Sequence, residues 1–198
     1  MGCDIHFFVE YKAGNKKWEA DEDHQVYYEV YEGEIEYDIG GYVGDLGTEY
    51  KEVTLNNGKV VKQHDWKLDS DKPGVGRDYM LFGFLADVRS SWGSAIYKPR
   101  GVPEDASPEI QMEYERWRGD AHSASYLSID EFEHVVREYR KSAILDAIQS
   151  HEESEKYKTI YQDVIDYIRA NQKKRIYKCP EGLFDVEVEA RVVFWFDN

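Results

Sequence analysis

Two stretches at opposite ends of the chain alternate with a period of two. In residues 3–11, Cys3, Ile5, Phe7, Val9 and Tyr11 fall on one side, and Asp4, His6, Phe8 and Glu10 on the other. In "FDVEVEARVVFWFDN", Val186, Val188, Ala190, Val192, Phe194 and Phe196 make an apolar face. Glu187, Glu189, Arg191, Val193, Trp195 and Asp197 make a mixed one. Matching alternation predicts two strands that are neighbours in one sheet.

Between them the period changes to 3.6. Leu81, Phe82, Leu85 and Val88 stripe a helix that starts near Asp78, a suitable N-cap. Gly83 inside it costs about 1 kcal/mol against Ala, which implies close packing there. A short helix is expected near 108–118, with Pro108 in its first turn. Ser128 and Glu131 have the spacing of a capping box. The helix they open carries Phe132, Val135, Val136, Tyr139, Leu145 and Ile148. A further helical stretch carries Tyr157, Ile160, Tyr161, Val164, Ile165 and Ile168. The polar "SHEESEK" is either a break between two helices or the middle of one. "RSSWGSAIYKPRGVPEDASPE" and "GDAHSASYL" read as loops, which often carry function.

Residues 19–68 read as a β-rich, acidic insertion or arm within a single domain spanning 1–198. Asn57-Gly58 marks a hairpin turn there. The expected fold class is α+β: an antiparallel sheet that includes both terminal strands and packs against helices on its apolar side.

The net charge of −15 repels nucleic acid and anionic membranes, so neither is an expected partner. An acidic surface leaves room for a host protein partner, with the chain as its inhibitor, or for a small ligand in a locally basic pocket. The two cysteines, Cys3 and Cys179, make neither a disulfide framework nor a zinc-finger spacing. Reduced thiols and a cytoplasmic location are expected. No signal peptide and no apolar run long enough to span a bilayer are seen.

Three places carry candidate chemistry. Asp4 and His6 share one face of a strand, roughly 7 Å apart. That spacing suits a base with its electrostatic partner, or two ligands of one divalent metal ion. The stretch Arg77–Arg100 holds four basic residues and two acids in an otherwise acidic chain. Arg77, Arg89 and Arg100 could converge on a phosphate or carboxylate, with Tyr79, Trp92 or Trp195 stacking on a base. The loop "DAHSASYLS" holds Asp120, His122, Ser123 and Ser125. With Asp4 and His6, His122 could do acid–base chemistry, and Asp120 could complete a metal set. Cys3 points to the apolar face, so a buried, inert thiol is expected.

"MGCDIH", "RDYMLFGFLADVR", "KPRGVPEDASPE", "DAHSASYLS" and the closing "RVVFWFDN" resemble a family of uncharacterised bacteriophage and prophage proteins. The resemblance runs the length of the chain, with 19–68 and 150–178 its least distinctive parts. The family loop often reads "GHSHS"; here Ala124 replaces the second histidine. The resemblance implies a small intracellular phage accessory protein, and some such proteins bind or cleave nucleotide second messengers of host defence. The expected function is a pocket for a small anionic, nucleotide-derived ligand. The alternatives are a phosphodiesterase or other hydrolase using Asp4, His6 and His122, with or without a divalent metal, and an acidic inhibitor of a host factor.

Overall fold

The computed structural model describes residues 2–21, 25–27, 52–54, 60–62, 66–68, 74–91, 94–117, 119–177 and 188–197. Its centre is a four-stranded antiparallel sheet in the order β2-β1-β8-β7. The strands are β1 (Ile5–Ala13), β2 (Glu19–Ala20), β7 (His122–Ser128) and β8 (Val188–Phe196). β1 and β8 pair along their whole length, from Ile5 with Phe196 to Ala13 with Val188. The two alternating termini are thus neighbours, as their patterns predict, and they form the central pair of the sheet.

The helices are α1 (Tyr79–Ala86), α2 (Pro108–Arg116), α3 (Ile129–Gln149) and α4 (Gln162–Tyr177), with a 3-10 turn at Glu155–Lys158. The polar "SHEESEK" is therefore a break between α3 and α4. The starts of α1, α2 and α3 have side-chain caps. Asp78 accepts a hydrogen bond from Leu81 N at 3.0 Å, and Ser107 caps α2 just before Pro108. At α3, the Ser128 hydroxyl accepts from Glu131 N, and the Glu131 carboxylate accepts from Ser128 N. A Cβ added at Gly83 would lie 2.4 Å from Ser90 Oγ, so the glycine permits the close approach its position implied.

The apolar face of the sheet builds the main core. Phe7, Val9, Val192, Phe194 and Phe196 pack against Leu81, Phe82, Phe132, Val136 and Ile168 from α1, α3 and α4. Cys3 is fully buried in this layer. Asp78 also accepts from the Tyr139 and Tyr161 hydroxyls at 2.6 and 2.7 Å, tying α1 to α3 and to the start of α4. Burial and the adjacent Asp78 carboxylate push both phenols above their ordinary pKa.

The mixed face is covered as well. Phe8, Val193 and Trp195 form a second, smaller core with Ala106, Ile110 and Ala124, roofed by α2 and the segment before it. The helices expected on the apolar side are there, and α2 covers the mixed face in addition. The reading of "GDAHSASYL" as loop is corrected: residues 122–128 form the edge strand β7. Its pattern is obscured by a register shift between His122 and Ser125 and by a positive φ of 51° at Ser123.

In the acidic region, β4 (Glu52–Thr54) pairs with β5 (Val60–Lys62), as the Asn57-Gly58 hairpin requires, and β3 (Gln25–Tyr27) pairs with β6 (Trp66–Leu68). The hairpin turn, Trp92 and most of 19–68 lie outside the described residues, as does Cys179. Among the described residues, no helix is long and apolar enough to cross a membrane.

Removing the cap of the longest helix tests this architecture. Ser128→Ala deletes the acceptor for Glu131 N and is expected to cost about 1 kcal/mol, read as a lower urea midpoint with an unchanged slope.

Candidate functional site

The residues at the beginning of β1 do cluster, but chiefly on one another. Arg77 grips Asp4 through two donors, Nε at 2.7 Å and Nη2 at 2.6 Å. His6 Nε2 lies 3.2 Å from Asp197 Oδ2, while Asp197 Oδ1 accepts from Asp4 N at 3.0 Å. The His6 ring sits 4.3 Å from Trp117 and 5.5 Å from Trp195, centroid to centroid. Arg89 has a positive φ of 52° and lies beside the Cys3 thiol. Burial pushes that thiol above its ordinary pKa, and Arg89 offsets part of the shift. Cys3 is thus a protonated core residue at neutral pH.

Other expected partners are held apart. His6 lies opposite Trp195 in the β1–β8 register and stacks on it, within the second core. His122 lies opposite Phe196 and stacks on it, with ring centroids 6.1 Å apart, on the main-core face. The sheet therefore separates the two imidazoles, which cannot serve one reacting group as acid and base. His122 Nδ1 shares a hydrogen bond with Ser123 Oγ at 3.1 Å, and its Nε2 is buried with no partner. Among the described residues, no three His, Cys, Asp or Glu side chains gather as metal ligands. The set Asp4, His6 and Asp120 is corrected on that ground: Asp4 and His6 turn to Arg77 and Asp197 instead. Trp195 is 0% exposed, which rules it out as a surface for stacking a base. Tyr79 is exposed at the start of α1.

A different constellation lies at the far end of β1, where β8 begins and α3 starts. A groove of about 810 Å³ is lined by five cationic side chains, Lys12, Arg100, Arg169, Lys173 and Arg191. Four carboxylates, Asp105, Asp130, Glu131 and Glu189, share its wall with the rings of Trp18 and Tyr126. Of the three expected arginines, only Arg100 lines it.

Arg191 organises this end. It projects from the mixed face of β8, opposite Glu10 in the register, and the residue is 6% exposed. Its Nε donates to Glu10 Oε2 at 2.7 Å, and its Nη1 to Asp105 Oδ1 at 2.8 Å. Its guanidinium lies 3.9 Å from the centroid of the Trp18 ring. Its Nη2 is buried and makes no hydrogen bond. An orphaned buried donor costs about 1–3 kcal/mol, so this atom needs an explanation.

Arg100 forms a two-pronged pair with Glu131, at 2.9 and 2.6 Å, and lies 5.4 Å from the Tyr126 ring centroid. The Arg100 hydrogen bonds hold Glu131 below the usual carboxylate range. Arg169 bridges Asp130 and Glu133. Lys12 pairs with Glu189 at 2.7 Å. Lys173 is exposed and makes no ion pair with a described residue.

Sequence reasoning passed over Lys12, Trp18, Asp105, Arg169, Lys173 and Arg191. One signal was available: Glu10 and Arg191 are opposite charges inside the two most apolar strands, where a charge survives burial only if paired. No family model, curated protein or solved structure matches this chain.

The Glu131 arrangement has a pH signature. Because its native pKa is depressed, its contribution to stability is present above the unfolded value near 4.5 and is lost as pH falls through the native value. Glu131→Gln is expected to flatten the acid side of the stability curve below about pH 4.5 while keeping the α3 cap. Denaturation midpoints measured at a series of pH values check this.

Proposed function

We propose that the chain binds a small anionic ligand of nucleotide type in the groove bounded by β1, β8 and the start of α3. The observation that supports this reading is the gathering of five cationic side chains in one concavity of a protein with net charge −15. An acidic protein has ample means of keeping its cations dispersed. The five cations outnumber the four carboxylates on the same wall while the surrounding surface is negative, which favours an anion that enters as a small molecule over an extended polyanion. The volume suits one small ligand. Tyr126 supplies an aromatic face, and Lys173 supplies a cation that makes no ion pair with a described residue.

Binding is favoured over turnover because no histidine is among the described residues that line the groove. The imidazoles expected to act as acid and base lie elsewhere and on opposite faces of the sheet. A host-defence signal of nucleotide origin fits the size and charge of the groove; so does any phosphorylated metabolite with a planar ring.

The test is a panel of linear and cyclic nucleotides measured by calorimetry, followed by chromatography of the ligand recovered after denaturing the protein. At least one member is expected to bind and return intact. Lys173→Ala and Arg100→Ala should each weaken it about tenfold, as loss of a charge-assisted contact implies. Arg77→Ala, at the opposite end of β1, should leave it unchanged. A converted ligand would replace binding with hydrolysis, and no binding at millimolar concentration would overturn the reading.

A further inference from the structure

We propose that the Asp105 carboxylate is a resident stand-in for the ligand's phosphoryl group, and that the ligand binds by exchanging with it on Arg191 and Trp18. The inference rests on the groove reading above.

Each Asp105 oxygen is held by one donor. Oδ1 accepts from Arg191 Nη1 at 2.8 Å, and Oδ2 accepts from Trp18 Nε1 at 3.0 Å. Two converging N–H donors on one anionic group is how proteins hold carboxylates and phosphates alike. Burial works to raise the Asp105 pKa, but Arg191 and the Trp18 N–H outweigh it, so the group stays an anion at neutral pH.

The two sides of this contact differ in their freedom to leave. Arg191 is fixed by Glu10 beneath it and by the Trp18 ring against it. The Asp105 side chain is 67% exposed. It stands on a turn closed by Ala106 N donating to Pro103 O at 3.0 Å. The turn is anchored on both sides, by Gly101 N to Ala124 O at 2.9 Å and by Ser107 N to Glu10 Oε1 at 2.5 Å. Asp105 can therefore rotate out into water without moving the backbone.

The orphaned Nη2 says which incoming group fits. A carboxylate has two oxygens about 2.2 Å apart in one plane, and in this pose one lies on Nη1 and the other on Trp18 Nε1, so that neither reaches Nη2. The third donor, Nη2, is left over and buried. A terminal phosphoryl group has three oxygens, enough for Nη1, Nη2 and Trp18 Nε1 together. Nη2 is buried on the same guanidinium as the Nη1 that holds Asp105, so a group that takes the place of Asp105 on Nη1 arrives beside it. Exchange thus trades an intramolecular contact that leaves a donor unpaired for an intermolecular one that satisfies it. The site selects phosphoryl over carboxylate, and Asp105 lowers its affinity for both.

Calorimetric titration with inorganic pyrophosphate tests this, using wild type, Asp105→Asn and Trp18→Phe. The asparagine keeps a carbonyl oxygen for the Trp18 N–H and removes the competing charge. The phenylalanine keeps a ring against Arg191 and removes the N–H. Asp105→Asn is expected to bind pyrophosphate at least tenfold more tightly than wild type, and Trp18→Phe several-fold more weakly. Malonate should gain less from Asp105→Asn than pyrophosphate does. Thermal melts confirm folding, and Asp105→Ala serves in place of a variant that fails to fold. Equal or weaker pyrophosphate binding by Asp105→Asn overturns the exchange; if a nucleotide still binds in a Lys173-dependent way, the groove reading stands without it. If neither wild type nor Asp105→Asn binds any anion tested, both fall. An equal gain for malonate overturns the phosphoryl preference.

Discussion

The Glu10–Arg191 ion pair is the contact on which both the sheet and the groove depend. Both charges are almost wholly buried, and each would be untenable alone. Placed opposite each other, they reject every register of β1 and β8 that would leave either one against Phe8, Val193 or Trp195. Glu10 also accepts from Ser107 N, which holds the segment leading into α2. Arg191 also reaches Asp105 and lies on Trp18. One pair thus fixes strand register, the roof of the second core and the floor of the groove.

The alternating termini could be read with confidence in the physical sense that both periods and both faces agree. The same holds for the helices, because Asp78, Ser128 and Pro108 sit where orphan N–H groups must be capped. β7 could not be read. It is an edge strand with a bulge, and the strongest clues to a strand, Val, Ile and aromatic alternation, are thin in "HSASYLS". The site was harder still. Proximity in sequence drew attention to Asp4, His6 and the Arg77–Arg100 stretch, but alternation sends His6 and His122 to opposite faces once register is known. The groove gathers residues from β1, β8, α3, α4 and the loop before α2, and no short window of sequence contains that combination. Trp195 shows the same limit: a mixed face looks exposed until a second layer is found to cover it.

The two ends of the central strands have diverged in character. At the start of β1, charges close on each other: Asp4 on Arg77, Asp197 on His6. At the other end they are more numerous and unevenly committed. Arg191 has a donor without an acceptor, Lys173 makes no ion pair with a described residue, and the Asp105 side chain stands mostly in solvent. Closed networks hold a fold together; an incompletely satisfied one is where a ligand can add something.

The pairing of first strand with last also governs how the chain comes to be folded. Glu10 and Arg191 are separated by 181 residues, and the central ladder of the sheet cannot form until both have been made. At synthesis rates of about 5–20 residues per second, β1 waits on the order of 10–40 s for its partner. During that time Phe7, Phe8 and Val9 are an apolar strand whose β8-side edge is unpaired. Their neighbours, Asp4, Glu10 and Lys12, are the charges that keep such a strand from adhering to its own kind in the interval.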